Sequence, residues 1–84
     1  SDQDDCTIGI IENLTKGIEQ KLYRNDIDID FTARIYFNGM LGIKNKDLFP
    51  LVNYSMNTLT SYHLEYHLRG ICSQKGIKEL EKQL

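Results

Sequence analysis

The sequence predicts an all-α fold of three to four helices, and three observations support this class. Apolar residues recur at intervals of three and four along several segments, which is typical of amphipathic helices. Acidic residues or serines stand just before these segments, where their side chains can cap a helix N-terminus. No segment alternates apolar and polar residues for long enough to indicate a sheet.

Length and composition limit the functions that the chain can have. The 84 residues form one small domain, with 10 basic and 12 acidic side chains dispersed along the sequence, so we expect no DNA binding by this chain alone. No apolar run approaches the roughly 20 residues of a membrane-spanning helix, and the acidic N-terminus is unlike a signal peptide. We therefore expect a cytoplasmic protein without membrane contact. Cys6 and Cys72 are predicted to be free thiols, with one bridge between them as the alternative.

The first helix is predicted from about residue 5 to residue 23, after a solvated tail at residues 1–4. Asp4 or Asp5 can cap its start. Its apolar stripe consists of Ile11, Leu14, Ile18 and Leu22. Gly9 and Gly17 each lower the helix propensity by about 1 kcal/mol relative to alanine, so packing must hold this helix.

The second helix is predicted over residues 29–43, with Asp28 as its N-cap. Its apolar residues cover more than one face, so two sides must be buried. They are Phe31, Ile35, Tyr36, Phe37, Met40, Leu41 and Ile43. Gly39 and Gly42 either permit the close approach of a neighbouring backbone or ligand, or merely help to end the helix.

The rest of the chain predicts a connector and two further helices. Residues 44–54, which include Pro50, are expected to form a packed loop. Ser55 is the N-cap candidate for a third helix over residues 56–70, and Gly70 suits its C-terminal cap. Ser73 can cap a short final helix.

Few residues indicate chemistry. His63 and His67 have the spacing of metal ligands on a helix, but no third ligand is evident, so we favour a helix–helix contact. Asp26, Asp28 and Asp30 alternate as in part of a calcium loop, yet the required glycine and distal glutamate are missing. Capping and solvation explain these acids. The sequence therefore predicts neither an enzyme nor a cofactor or metal site.

An aromatic and methionine-rich set is the remaining candidate site. It either lines a pocket for a small apolar ligand or forms a core or dimer interface, and we favour the interface. The predicted dimer-interface residues are Phe37, Leu41, Leu59, Tyr62, His63 and Tyr66. The predicted effector-pocket residues are Tyr36, Met40 and Met56.

Four segments carry a resemblance to a known family: the connector Arg24–Asp28, the turn Thr32–Arg34, the stretch Tyr36–Gly42, and Leu64–Gly70 followed by Lys75-Gly76. They resemble the C-terminal regulatory domain of tetracycline-repressor-type (TetR family) transcription regulators. The resemblance covers about residues 8–84. The helix-turn-helix and the first helices of that family's regulatory domain have no counterpart in these residues.

The resemblance implies a homodimer in which the second and third helices of two subunits form a four-helix bundle. Residues 5–84 would be the dimerisation and ligand-sensing fragment, with an unknown small-molecule effector and with DNA contacted only through a segment missing here. The first alternative is a free-standing small helical homodimeric interaction protein. The second is a sensor that uses His63 and His67, or the cysteines.

Overall fold

A computed structural model describes the backbone of residues 2–84 and the side chains of residues 5–84. In this range the chain forms four α-helices and no strand: α1 (Asp2–Glu19), α2 (Ile29–Gly42), α3 (Met56–Ile71) and α4 (Gln74–Gln83). The predicted all-α class is confirmed, and so is the number of helices. None of these four helices has the length and apolar character needed to cross a membrane.

Helix α1 ends earlier than predicted, at Glu19 instead of residue 23. The N–H of Leu22 donates to the carbonyl of Gly17 over 2.9 Å, and the N–H of Lys21 donates to Ile18 over 2.9 Å. With Lys21 at a left-handed φ of 62°, this is the Schellman arrangement that closes a helix. The backbone is helical from Asp2, whereas Ser1 and the side chains of the predicted tail lie outside the described residues.

The predicted N-caps of α2, α3 and α4 are confirmed, whereas the prediction of Asp4 or Asp5 as the cap of α1 is wrong, because α1 begins at Asp2 and both residues lie inside it. Asp28 accepts a hydrogen bond from the N–H of Phe31 over 2.8 Å at the start of α2. Ser55 accepts from the N–H of Thr58 over 3.1 Å at the start of α3, and Ser73 caps α4 in the same way. Gly70 is not a cap, because α3 continues to Ile71 and ends in extended backbone at Cys72.

The connector between α2 and α3 is less packed than predicted. Phe49 and Tyr54 meet edge to face with ring centroids 6.0 Å apart, and Phe49 and Pro50 are partly buried. Leu48, Leu51 and Val52 are exposed, and Val52 reaches 93% exposure. The apolar character of this loop therefore does not reflect burial within the chain.

A small core joins the two halves of the chain. Leu14 of α1, Ala33 of α2 and Ile71 of α3 are its buried members. Beside it, the turn after α1 pairs with the α3–α4 junction: the N–H of Arg24 donates to Ile71 over 2.8 Å, and the N–H of Ser73 donates to Leu22 over 2.9 Å. Sequence-distant segments are thus held by backbone hydrogen bonds as well as by apolar contact.

The molecule is a thin layer that leaves much of its surface uncovered. Its dimensions are 39 × 34 × 16 Å, and a single helix with side chains is already about 10–12 Å across. The accessible area is 6234 Å², whereas a folded monomer of 9.8 kDa typically exposes about 5,200 Å². The radius of gyration, 13.8 Å, likewise exceeds the value of about 12 Å typical for this length. About 1,000 Å² of surface is therefore in excess of what a compact domain of this size exposes.

Candidate functional site

An apolar groove opens between α1, α2 and α3. Its volume is about 650 Å³, which falls in the range of small-molecule sites. The apolar side chains that line it are Ile10, Phe37, Met40, Leu41, Leu64 and Leu68. We call this cavity the groove.

The α2 side of the groove follows from helical spacing. Tyr36, Met40 and Lys44 are four residues apart, and Phe37 and Leu41 repeat the same interval, so these side chains share one side of the helix. Leu64 and Leu68 of α3 are also four apart and face them. On the α1 side, Gly9 has no side chain to fill the groove. The space beside it is open, since a Cβ built at this position meets nothing within 4 Å.

A stack of three rings joins α2 to α3 at the edge of the groove. The ring of Tyr36 is stacked on His63 at a centroid distance of 4.8 Å and tilted against His67 at 4.2 Å. Nε2 of His63 lies 2.9 Å from the carbonyl oxygen of Tyr36. A Cβ at Gly39 would overlap the His63 ring, so this glycine permits a close approach, with an imidazole as its neighbour.

Both histidines of α3 therefore contact Tyr36 of α2, so they form the helix–helix contact that the sequence favoured over a metal site. Within the described residues, no group of three or more His, Cys, Asp or Glu side chains is arranged to hold a metal ion. Cys6 and Cys72 are both free thiols, the former exposed and the latter half-buried.

The polar groups of the groove are held mostly uncharged. Burial, with a smaller contribution from His63, lowers the pKa of His67 below its ordinary value. Burial raises the pKa of Tyr23, aided by Cys72 and Tyr36, and its hydroxyl donates to Oδ1 of Asn13 over 3.2 Å. Among the described side chains that line the groove, Lys44 carries a formal charge and none is an aspartate or glutamate.

A second apolar surface lies on the other side of α2 and α3. Phe31 and Ile35 of α2 are exposed, as are Tyr62 and Tyr66 of α3 at 61% and 80%. Tyr66 lines a shallow depression with Phe31 and Ile35 and another with Tyr62, so the four side chains are neighbours. We call them the outer apolar face. At about 100° per residue, Phe31 and Ile35 point roughly away from the groove side of α2.

The predicted interface residues do not form one surface of this chain. Tyr62 and Tyr66 lie on the outer apolar face, whereas Phe37 and Leu41 line the groove and also a shallow depression that they share with Phe31 and Ile35. His63 is engaged between α2 and α3. Leu59 is only 3% exposed, so it belongs to the chain's own interior and is corrected from an interface residue to a core residue. The helical intervals of three and four residues placed Leu59 beside Tyr62 and Tyr66. They could not show that Phe49 and Tyr54 of the connector lie near Leu59.

Two of the three predicted pocket residues lie together. Tyr36 and Met40 line the groove, but Met56 does not, because it is exposed at the first turn of α3. Sequence reasoning missed Phe31 and Ile35 as surface candidates and Lys44 as a groove residue. The signal for Lys44 was present, since it continues the interval of Tyr36 and Met40 by one more turn.

Comparisons of the chain with protein-family models, curated proteins and solved structures find no match.

Proposed function

We propose that this chain is the dimerisation and ligand-sensing part of a TetR-like transcription regulator. A second copy would bind the outer apolar face, a small molecule would enter the groove, and a different segment of the regulator would contact DNA. The observation that carries this proposal is the presence of two apolar surfaces on the same helix, α2: the groove, which Met40 lines, and the outer apolar face, which contains Phe31 and Ile35. The residues that resemble the TetR regulatory domain support the same assignment.

The uncovered area supports a second copy. The excess of about 1,000 Å² is close to the roughly 800 Å² that each partner buries in a standard protein interface. Two helices from each copy, related by a twofold axis, would form a four-helix bundle and leave a layer about two helices thick. The thin shape of the single chain is what such an assembly requires.

The composition of the outer apolar face also suits a protein interface. Three of its four side chains are aromatic, and aromatic residues are enriched among those that dominate binding energy. Arg69 lines the depression beside Tyr66 and pairs with Glu65 over 3.0 Å, so an ion pair borders the aromatic centre. An apolar centre with a charged border is the usual anatomy of an interface.

Ligand sensing follows from the position of the ring stack. Tyr36 and His67 line the groove, while His63 lines the depression that contains Tyr62 and Tyr66. A ligand that moves Tyr36 would therefore displace α2 relative to α3, and both helices carry the outer apolar face. The dimer would change its geometry in response to the ligand, because the ligand binds the two arrangements with different affinity.

Sedimentation equilibrium tests the dimer. We expect the wild-type chain to be a dimer at roughly 100 µM, and Tyr66→Glu to weaken the dimer at least about tenfold, as loss of a central aromatic side chain typically does. Val52→Glu is the matched control, since Val52 is more exposed but lies on the connector. A wild-type monomer would refute the dimer, and a Tyr66→Glu dimer of wild-type strength would place the interface elsewhere.

The reading frame tests the regulator itself. We expect the same frame to encode a basic helix-turn-helix segment before Ser1. We also expect the 84-residue chain to show no sequence-specific, salt-sensitive DNA binding by fluorescence anisotropy, because its net charge is −2. A reading frame without such a segment would favour the free-standing homodimeric interaction protein.

A further inference from the structure

The groove departs from the charge pattern of the chain as a whole. The chain carries 12 acidic residues and a net charge of −2, yet among the side chains of residues 5–84 no aspartate or glutamate lines the groove. Lys44 supplies its formal charge. An apolar cavity with one cation and no carboxylate favours a ligand that carries one negative charge.

Lys44 is placed to meet such a ligand at the end of the groove. It follows Leu41 by three residues and Met40 by four, so it extends their side of α2 by one turn. The carbonyls of Gly39, Leu41 and Gly42 accept backbone N–H groups at 3.0 to 3.2 Å, which satisfies the end of the helix without the lysine side chain. Within residues 5–84, Lys44 forms no ion pair with a carboxylate.

We propose that the groove binds an amphipathic ligand with a single carboxylate, whose apolar body lies against Phe37, Met40 and Leu64 and whose carboxylate pairs with Lys44. This inference rests on the proposed ligand-sensing function and names the chemical class of the ligand.

The remaining polar groups are consistent with a monoanion. Burial lowers the pKa of His67 and so favours its uncharged imidazole, which leaves Lys44 as the cation among the described lining side chains. A phosphate monoester would bring nearly two charges and commonly uses an arginine fork or several backbone N–H donors. A single lysine on an apolar wall suits a carboxylate on an aliphatic or aromatic body better.

Isothermal titration calorimetry with dodecanoate and dodecanol, both below the concentrations at which they aggregate, tests the charge. We expect the wild-type chain to bind dodecanoate on the order of three- to tenfold more tightly than dodecanol, as one partly exposed charge pair implies. Lys44→Gln should remove this difference by weakening dodecanoate binding alone. Lys46→Gln is the control, since Lys46 is two residues away and does not line the groove.

A second variant tests the location without threatening the fold. Gly9→Leu projects a side chain into the groove from a position where a Cβ meets nothing within 4 Å, and it raises helix propensity. We expect it to abolish binding of both probes. Gly42→Leu is its control, because Gly42 is equally unobstructed but does not line the groove.

Each outcome decides something. Equal affinity for dodecanol and dodecanoate, with no effect of Lys44→Gln, would overturn the proposed pairing of the ligand's carboxylate with Lys44. The groove would then bind ligands through apolar contacts alone. Binding of neither probe to the wild type, or unchanged binding to Gly9→Leu, would overturn the proposal as a whole. A wild type that sediments as a monomer would refute the proposed dimer but would leave the calorimetric result on the ligand unaffected. Failure of the proposed dimer and failure of the proposed ligand can therefore be told apart.

Discussion

At the scale of single residues, Lys21 shows how one backbone angle sets the shape of the chain. Its φ of 62° closes α1 and directs the backbone toward the α3–α4 junction. Glycine is the usual residue at this position of a Schellman motif, because an L-residue there loses about 1–2 kcal/mol to steric conflict. The chain tolerates lysine because the two hydrogen bonds to Gly17 and Ile18 hold the turn.

We therefore expect Lys21→Gly to raise the free energy of unfolding by about 0.5–1 kcal/mol, measured by urea denaturation. The gain is smaller than the full strain because glycine also loses more backbone entropy on folding. Lys16→Gly is the control, since Lys16 lies inside α1 and should lose about 1 kcal/mol instead. Equal effects of the two substitutions would contradict a strained turn at Lys21.

The lowered pKa of His67 predicts a dependence of stability on pH. A histidine whose pKa is lower in the folded state takes up a proton more readily in the unfolded chain, so stability falls as pH drops below the ordinary value of 6.5. The urea midpoint of the wild type should therefore decrease as the pH is lowered from roughly 7.5 to 5.5. Most carboxylates remain ionised over this range. His67→Gln should lower stability at every pH but flatten this slope; an unchanged slope would assign the dependence to other groups.

At the scale of elements, Ser73 does more than begin a helix. Its hydroxyl oxygen accepts from the N–H of Gly76 over 3.1 Å. Its single O–H points toward the carbonyls of Lys21 and Leu22, whose oxygens lie 2.6 and 3.1 Å away. Gly76 completes the junction, because a Cβ there would overlap the carbonyl oxygen of Leu22. Helix α4 is thus fastened to the turn after α1.

Ser73→Ala should consequently lower the free energy of unfolding by about 2 kcal/mol, because it removes both a cap and a bond between distant segments. Ser55→Ala provides the comparison. Ser55 caps α3 and contacts only Thr58 nearby, so its loss should amount to about 1 kcal/mol. Chemical denaturation of the two variants should separate them, and equal losses would show that the contact with Lys21 and Leu22 adds no stability.

The elements also show what a sequence can and cannot predict. Asp28, Ser55 and Ser73 were recognisable as caps because capping depends on residues within one turn. The end of α1 was not, because Leu22 continues the apolar spacing while Lys21, a good helix former, gives no sign of a left-handed turn. Helical spacing places Tyr36 and Met40 on one side of α2, and both line the groove. The burial of Leu59 and the exposure of Met56 depend on how distant segments cover α3, which no local pattern contains.

At the scale of the whole molecule, the small core and large surface link stability to association. Within the described residues, five apolar side chains are buried in a chain of 84 residues, whereas the outer apolar face is open. If two copies fold together, the apparent free energy of unfolding rises by about 1.4 kcal/mol for each tenfold increase in concentration. We expect the urea midpoint of the wild type to rise accordingly.

Tyr66→Glu supplies the test of that link. Its midpoint should be lower and should change less with concentration than that of the wild type, because more of the variant unfolds as a separate subunit. Circular dichroism at micromolar and at hundred-micromolar protein would measure both. A wild-type midpoint independent of concentration would show that the single layer is stable by itself.

The backbone of Tyr23 pairs with that of Cys72, so the turn after α1 and the end of α3 are held together directly as well as through the intervening chain. The two halves of the molecule should therefore stay together if the chain between α2 and α3 is cut. The connector at residues 44–55 is largely exposed, so a protease should cut it first. Helices α1 and α2 would then be on one peptide and α3 and α4 on the other, still joined through the core and through the hydrogen bonds of Arg24 and Ser73. The nicked chain should elute as one species in gel filtration and separate into two fragments only in denaturant.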